Sequence, residues 1–320
     1  MTEDRVPAVS ILIPTHNAER FIEETLVSIV SQTFGDFECI IVNDGSTDGT
    51  PEVIEKYLSD SRFKLINLSK VGLCAALNRG LELTRAPLIA RMDSDDVMLP
   101  ERLAVQVAYM QAHPEVGGCA SFYEMIDAQG QKLGDGRSPL TSVEAIERHL
   151  QNGGQLIYPN PTLMLRRSAM VALGGYRAEY FPCEDVDLSV RMLEAKQPII
   201  VLPQYLLKFR MHPTSVSSSN ANALRQFHTN KLIFRNLRAR RRGEAELPIE
   251  RYFAELDSAF ALRKLATRMA EESFVLHRKA ARAKTAKHHA LGSGLLLLAF
   301  ALNPRDAYLK VMRRARAAWA

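Results

Sequence analysis

The sequence predicts an α/β protein: a doubly wound, mostly parallel sheet flanked by helices, followed by a basic helical C-terminal region. Three observations carry that prediction. Short apolar runs alternate with segments of helical spacing through the first hundred residues. Two of those runs lead straight into carboxylate-rich turns. Charge is also divided unevenly: residues 1–220 hold 20 basic and 28 acidic side chains, a balance of −8, whereas 221–320 hold 21 and 8, a balance of +13. An acidic head with a basic tail suggests two jobs.

Residues 8–13 (AVSILI) form an apolar run suited to a buried parallel strand, ending at Pro14. Phe21, Ile22, Leu26, Ile29 and Val30 then recur at helical spacing across 19–31. A second strand is expected over 37–42 (FECIIV), before the polar turn NDGSTDGT. Thr50-Pro51 opens the next helix, because proline in the first helical turn loses no needed donor. Residues 63–67 and 87–92 supply a third and a fourth strand, with a helix over 71–84 between them and another after Pro100. Beyond that the glycine-rich stretch 118–165 predicts short strands and loops. Helices are expected from Arg167 to Gly174-Gly175 and after Glu184-Asp185, and 199–209 is expected as a strand pair broken by Pro203. From about Asn222 the pattern is helical and basic. These elements suggest a domain over 1–220, with halves of about 7–100 and 101–220, and a helical region over 221–320.

Composition excludes several classes. Hydrophobic residues make up 47% of the 320, enough for one large core, so disorder is not the default. Cys39, Cys74, Cys119 and Cys183 are scattered without a CxxC pair, which argues against zinc and fits a reducing compartment. The first residues, MTEDRVPAVSILIP, lack the features of a cleavable signal, so a cytoplasmic location is expected. The longest apolar stretch, roughly Ala290–Leu302, is 13 residues, short of the ~20 a bilayer span needs. PTHNAER after the first strand is not the GxGxxG of a dehydrogenase, nor the Gly-rich basic loop of a nucleotidyltransferase. The basic runs at Arg238–Arg242 and Arg313–Arg316 have little aromatic interleaving and no reader motif, so no nucleic acid is expected.

Three carboxylate clusters carry the chemistry. Asp44-Gly45-Ser46-x-Asp48 follows a buried strand; it is either a polar turn with a helix cap or a contact to a base or ribose. Asp93-Ser94-Asp95-Asp96 places mutually repelling carboxylates at a buried strand end, an arrangement that favours a compensating cation. Hard oxygen ligands suit Mg²⁺ or Mn²⁺ on a diphosphate. Glu184-Asp185-x-Asp187 opens a helix, where carboxylates either cap the dipole or serve as a general base.

In this order and spacing, the clusters resemble those of the family 2 glycosyltransferases, which have the GT-A fold. The matching stretches are VSILIPTHNAERFIEETLVSIVSQTFGDFECIIVNDGSTDGT, GLCAALNRGLELTRAPLIARMDSDDVMLPERL, NPTLMLRRSAMVALGGYR and CEDVDLSVRM, spread over roughly residues 7–220. The resemblance implies that Asp44 contacts the donor nucleoside, that Asp93 and Asp95 hold the metal, with Asp95 the direct ligand, and that Asp185 is the base. Pro14, Thr15, Asn17 and Glu19 are expected to line the nucleoside pocket. His212, in the segment RMHPTSVS, is expected at the diphosphate or the metal, or else as a loop histidine with a structural hydrogen bond.

The implied activity is inverting, single-addition transfer from a nucleotide-sugar donor, UDP being the family's commonest nucleotide, to a saccharide or lipid-linked acceptor in polysaccharide or glycolipid synthesis. The QxxRW motif of processive synthases is absent, the one tryptophan being Trp319 among alanines. The alternative is a catalytically silent scaffold of the same fold, against which Asp44, Asp95 and Asp185 speak. The tail is expected either to lie on an anionic membrane surface, through its Leu-rich segment and Lys/Arg residues, or to pack on the domain.

Overall fold

The computed structural model describes residues 5–213, 215, 220–258, 268–269, 271–280 and 289–302. Arg313, Arg314, Arg316 and Trp319 lie outside them. The chain divides into two compact units, residues 1–211 and 212–320.

The first unit is built on one sheet. Strands β1 (Val9–Thr15), β2 (Phe37–Asp44), β3 (Phe63–Leu68) and β4 (Leu88–Arg91) are parallel, in the order β3-β2-β1-β4. Helices α1 (Ile22–Val30), α2 (Thr50–Glu55) and α3 (Leu73–Leu83) make the crossovers. Every residue of β1 and β2 is buried, which is why these strands read as unbroken apolar runs. Pro14 lies inside β1 and does not end it. β4 pairs with β1 only from Val9 to Leu12, so the missing proline N–H costs no ladder bond. A Cβ on Gly80 of α3 would meet a Leu12 methyl at 2.2 Å, so glycine there lets α3 lie close on β1.

The second half of this sheet is mixed: β8 (Met164–Arg166), β6 (Gly118–Ile126), β9 (Ile199–Arg210) and β5 (Val97–Met98) follow β4 in spatial order, and β7 (Lys132–Gly136) pairs with the far end of β6. Helices α4 (Arg102–Ala112), α5 (Val143–Gln151), α6 (Arg167–Ala172) and α7 (Glu184–Glu194) complete the unit. The architecture agrees with the expected α/β class, and three local expectations change. The glycine-rich stretch holds β6, nine residues long, and the helix α5, whose N-cap Ser142 accepts from the Ala145 N–H at 3.2 Å. Residues 199–209 are not a broken pair but part of one twelve-residue strand. The β6–β9 register skips from Leu202 to Tyr205, so exposed Pro203 sits in a bulge, where it removes no ladder bond.

The described part of the second unit is helical: α8 (Asn220–Arg241), α9 (Ile249–Ser258), α10 (271–280) and α11 (His289–Leu302). His228 is buried, with Nε2 2.6 Å from Glu271, in an aromatic cluster with Phe227, Tyr252 and Phe253. No described helix is long and apolar enough to cross a membrane.

Candidate active site

Asp44 ends β2 and is 6% exposed. Its two carboxylate oxygens accept the N–H groups of Val71 (2.6 Å) and Gly72 (2.9 Å), so it organises the loop that starts α3. Gly45 has φ +66°, and a Cβ there would lie 2.8 Å from the Lys70 nitrogen, so only glycine lets the two loops meet this closely. Asn17 and Glu19 clamp the same turn from the β1 side. Asn17 Oδ1 accepts the Thr47 N–H at 2.8 Å, its own N–H donates to Ser46 Oγ at 3.0 Å, and Glu19 accepts the Gly49 N–H at 3.0 Å. These side chains therefore shape the turn that follows Asp44. Pro14 and Thr15 are buried at the end of β1, where the Thr15 hydroxyl has no protein partner. His16, which sequence reasoning passed over, stands beside them with Nε2 3.0 Å from Lys70 Nζ and a buried, unpartnered Nδ1. Its position directly after the strand was the available signal.

Residues 92–96 join β4 to β5, strands four places apart in the sheet, so this short loop runs across the end of the sheet. Asp93, Asp95 and Asp96 each bring a carboxylate oxygen within 4.8 Å of the others. Arg91, buried at the end of β4, donates to Asp93 Oδ1 at 2.6 Å and to the Met92 carbonyl. Asp96 is 1% exposed; its Oδ1 accepts the Arg210 N–H at 2.6 Å, and its Oδ2 is buried with no partner. Burial, and then the neighbouring aspartates, hold the Asp96 carboxyl well above the usual carboxylate range. Asp93 is raised in the same sense, by burial and Asp95, against the opposing pull of Arg91. Three converging hard oxygen donors, one of them orphaned, fit a divalent cation such as Mg²⁺ or Mn²⁺. Asp96 thereby joins Asp93 and Asp95 as a candidate ligand.

The third cluster opens α7. Glu184 is 4% exposed, with Oε2 unpartnered, and Asp185 accepts the Val186 N–H at 2.8 Å. Burial pushes Glu184 up to about 8 and Asp185 up to about 6, and the charges of Arg91 and Asp93 act on both. The α7 N-terminus and the carboxylate loop therefore share one electrostatic environment. Tyr176 is buried in it with its hydroxyl unpartnered. Its backbone is held at both ends by Asn78 of α3, whose amide donates to the Tyr176 carbonyl and accepts its N–H, each at 2.8 Å. Asp187 plays a different part: Arg177 and Arg191 both donate to it, and Arg191 also caps the Leu173 and Gly175 carbonyls at 2.7 Å. That carboxylate is saturated by guanidinium groups and locks α7 to the preceding loop.

A family model of glycosyl transferase family 2 matches residues 10–173, just over half of the chain. The chain belongs to glycosyl transferase family 2. Among its relatives, the O-antigen biosynthesis glycosyltransferase WbnJ of Escherichia coli is 31% identical over 216 residues, 66% of this chain and 82% of that protein. The amylovoran biosynthesis glycosyltransferase AmsE of Erwinia amylovora is 30% identical over 206 residues, 63% of this chain and 75% of that one. EpsH of Bacillus subtilis is 45% identical over 96 residues, only 28% of its own length.

Two solved structures share the GT-A fold of this glycosyltransferase. The 1–349 portion of S. aureus TarS in complex with UDP-GlcNAc has a TM-score of 0.57 at 19% identity, covering 90% of this chain and 89% of that one. The mannosyltransferase PcManGT of Pyrobaculum calidifontis, in complex with GDP-Man and Mn²⁺, has a TM-score of 0.55 at 19% identity, covering 95% and 88%. The family match spans Asp44 and the 93–96 loop, and stops before Glu184-Asp185 and Arg210. Asp93 stands with Asp95 and Asp96, and through Arg91 with the α7 N-terminus; Asp44, Asn17 and Glu19 form a separate group at the ends of β1 and β2. His212 begins the second unit, where its carbonyl accepts from the Ser215 hydroxyl at 3.0 Å.

Proposed function

We propose that this family 2 glycosyltransferase catalyses an inverting, single-addition, metal-dependent transfer from a nucleotide sugar, with UDP the first nucleotide to test. The acceptor is a saccharide or lipid-linked saccharide of cell-surface polysaccharide or glycolipid assembly. The observation that carries this reading is the convergence of the Asp93, Asp95 and Asp96 carboxylates beyond the end of β4, with Asp185, raised by burial, under the charges of Arg91 and Asp93. Asp185 takes the proton of the acceptor hydroxyl as its oxygen attacks the anomeric carbon, and the bond to the nucleoside diphosphate breaks on the opposite face. Asp93, Asp95 and Asp96 would hold the cation, which supplies charge neutralisation at the departing diphosphate. Asp44, Pro14, Thr15, Asn17 and Glu19 form or frame the nucleoside end. WbnJ and AmsE are named for O-antigen and amylovoran synthesis, which supports the acceptor class. The UDP-GlcNAc, GDP-Man and Mn²⁺ complexes of the two structural neighbours support the donor and the cofactor. The test is a screen of nucleotide sugars for hydrolysis with and without Mn²⁺. One donor is expected to turn over only with metal; no turnover of any donor would overturn the reading.

The same proposal places the enzyme peripherally on the cytoplasmic face of the membrane. On α11, Leu291, Leu297 and Leu298 are 60%, 71% and 57% exposed, while the opposite side is tied down by the Ser273 hydroxyl bonding to the Ala299 carbonyl at 2.8 Å. An exposed apolar face in a region of +13 balance suits the headgroup layer of an anionic bilayer. The full chain is expected to float with anionic liposomes at low salt, and Leu297→Glu with Leu298→Glu to abolish flotation. Equal flotation of both proteins would rule out this face.

A further inference from the structure

Arg210 is the last residue of β9 and is 2% exposed. Its Nε donates to the Asp95 carbonyl at 2.7 Å, Nη1 to the Asp127 carbonyl at 3.2 Å, and Nη2 to the Glu24 carboxylate. Its backbone N–H donates to Asp96 Oδ1 at 2.6 Å, and its guanidinium lies over the Phe21 ring, 5.0 Å from the centroid. One residue thus grips two successive members of the carboxylate loop, by side chain and by main chain, and anchors them to α1 and to the turn after β6. The contrast with Asp187 is informative. There, two guanidinium groups donate directly to the carboxylate and saturate it. Within the carboxylate loop the Arg210 side chain instead bonds a carbonyl, that of Asp95, its carboxylate partner Glu24 lying on α1, and Asp96 Oδ2 is left without a partner. A buried cation that only neutralised the loop would pair with its carboxylates; this one orders the loop and leaves Asp96 Oδ2 over.

We propose that Arg210 is a positioning residue for the divalent-cation site, holding Asp95 and Asp96 in ligating geometry and tying that geometry to α1 through Glu24. The proposal rests on the reading of residues 93–96 as the metal site. Groups that orient ligands from behind typically change metal affinity by about 10- to 100-fold when replaced.

The test measures Mn²⁺ binding to the full chain from the loss of the free-ion EPR signal, with UDP as the diphosphate probe. Wild type is compared with Arg210→Met, Arg210→Lys and Glu24→Gln, alongside melting curves and metal-free uridine binding. Arg210→Met is expected to weaken Mn²⁺ binding by about tenfold or more, and Arg210→Lys and Glu24→Gln by less. Uridine affinity is expected to stay at its wild-type value. Glu24 is 54% exposed, so Glu24→Gln decides the matter if the buried substitutions fail to fold. Unchanged Mn²⁺ affinity in folded Arg210→Lys and Glu24→Gln would overturn the proposal, as would a parallel loss of uridine affinity. A wild type that binds no Mn²⁺ at all would instead overturn the metal reading beneath it.

Discussion

Asp95→Ala is expected to abolish sugar transfer while leaving the melting temperature at or slightly above that of the parent. The Asp95 carboxylate lies within 4.8 Å of those of Asp93 and Asp96, so in the absence of metal its removal relieves repulsion in the loop. The Asp95 main chain is held by Arg210 through its carbonyl, a bond that the substitution leaves in place. The proposed mechanism does need the carboxylate. A cation at the departing diphosphate contributes several kcal/mol of stabilisation, so the loss in turnover is on the order of a thousandfold. Binding of the nucleoside diphosphate is expected to weaken, while binding of the nucleoside alone, at the Asp44 end, is unaffected. Transfer and calorimetric titration with each ligand check the two halves of this expectation. Full turnover of wild type in excess chelator, or near-normal turnover of the variant, would contradict it.

Asp185→Asn separates catalysis from binding in a different way. The amide keeps the shape of the carboxylate but cannot accept a proton, so kcat is expected to fall on the order of a hundredfold or more with donor KM little changed. The wild-type pH profile carries a second signature. Burial pushes the Asp185 carboxyl up to about 6, and in the proposed mechanism the deprotonated form is the active one. The rate is therefore expected to fall as pH drops through that region, and Asp185→Asn to lose this acid limb. Burial pushes the neighbouring Glu184 carboxyl up in the same sense, to about 8. A variant whose main defect is a raised donor KM would make Asp185 a binding group and overturn its assignment as base.

The first half of the sheet was legible because β1, β2 and β4 are buried throughout and the strands alternate with amphipathic helices, a local pattern that survives without knowledge of the fold. The second half was not. β6 looks like loop because Gly117 and Gly118 open it, yet those glycines are demanded by neighbours: a Cβ on Gly118 would lie 2.5 Å from a Leu165 methyl. Pro203 looks like a strand breaker, but the bulge in the β6–β9 register absorbs it. Neither fact belongs to a window of sequence, since both depend on which strand lies alongside.

The same division holds in the candidate site. Asp93 and Asp95 could be singled out because mutually repelling carboxylates at a buried strand end are costly without a compensating cation, whereas Asp44, in a polar turn, and Asp185, at a helix start, were singled out by the resemblance to family 2. Asn17 and Glu19 were also visible, but only the folded chain shows them spending their side chains on the backbone of the 46–49 turn. Sequence order likewise made Glu184, Asp185 and Asp187 look alike. Tertiary structure separates them: Asp187 meets two arginines, whereas Glu184 and Asp185 are buried under the charges of Arg91 and Asp93. The residue types and their order determined that this chain carries a sheet whose strand ends are acidic. Which of those acids is neutralised and which is left with an orphaned oxygen was decided by burial and by partners as far as 114 residues away, because the free energy of a carboxylate depends on its surroundings more than on its sequence neighbours.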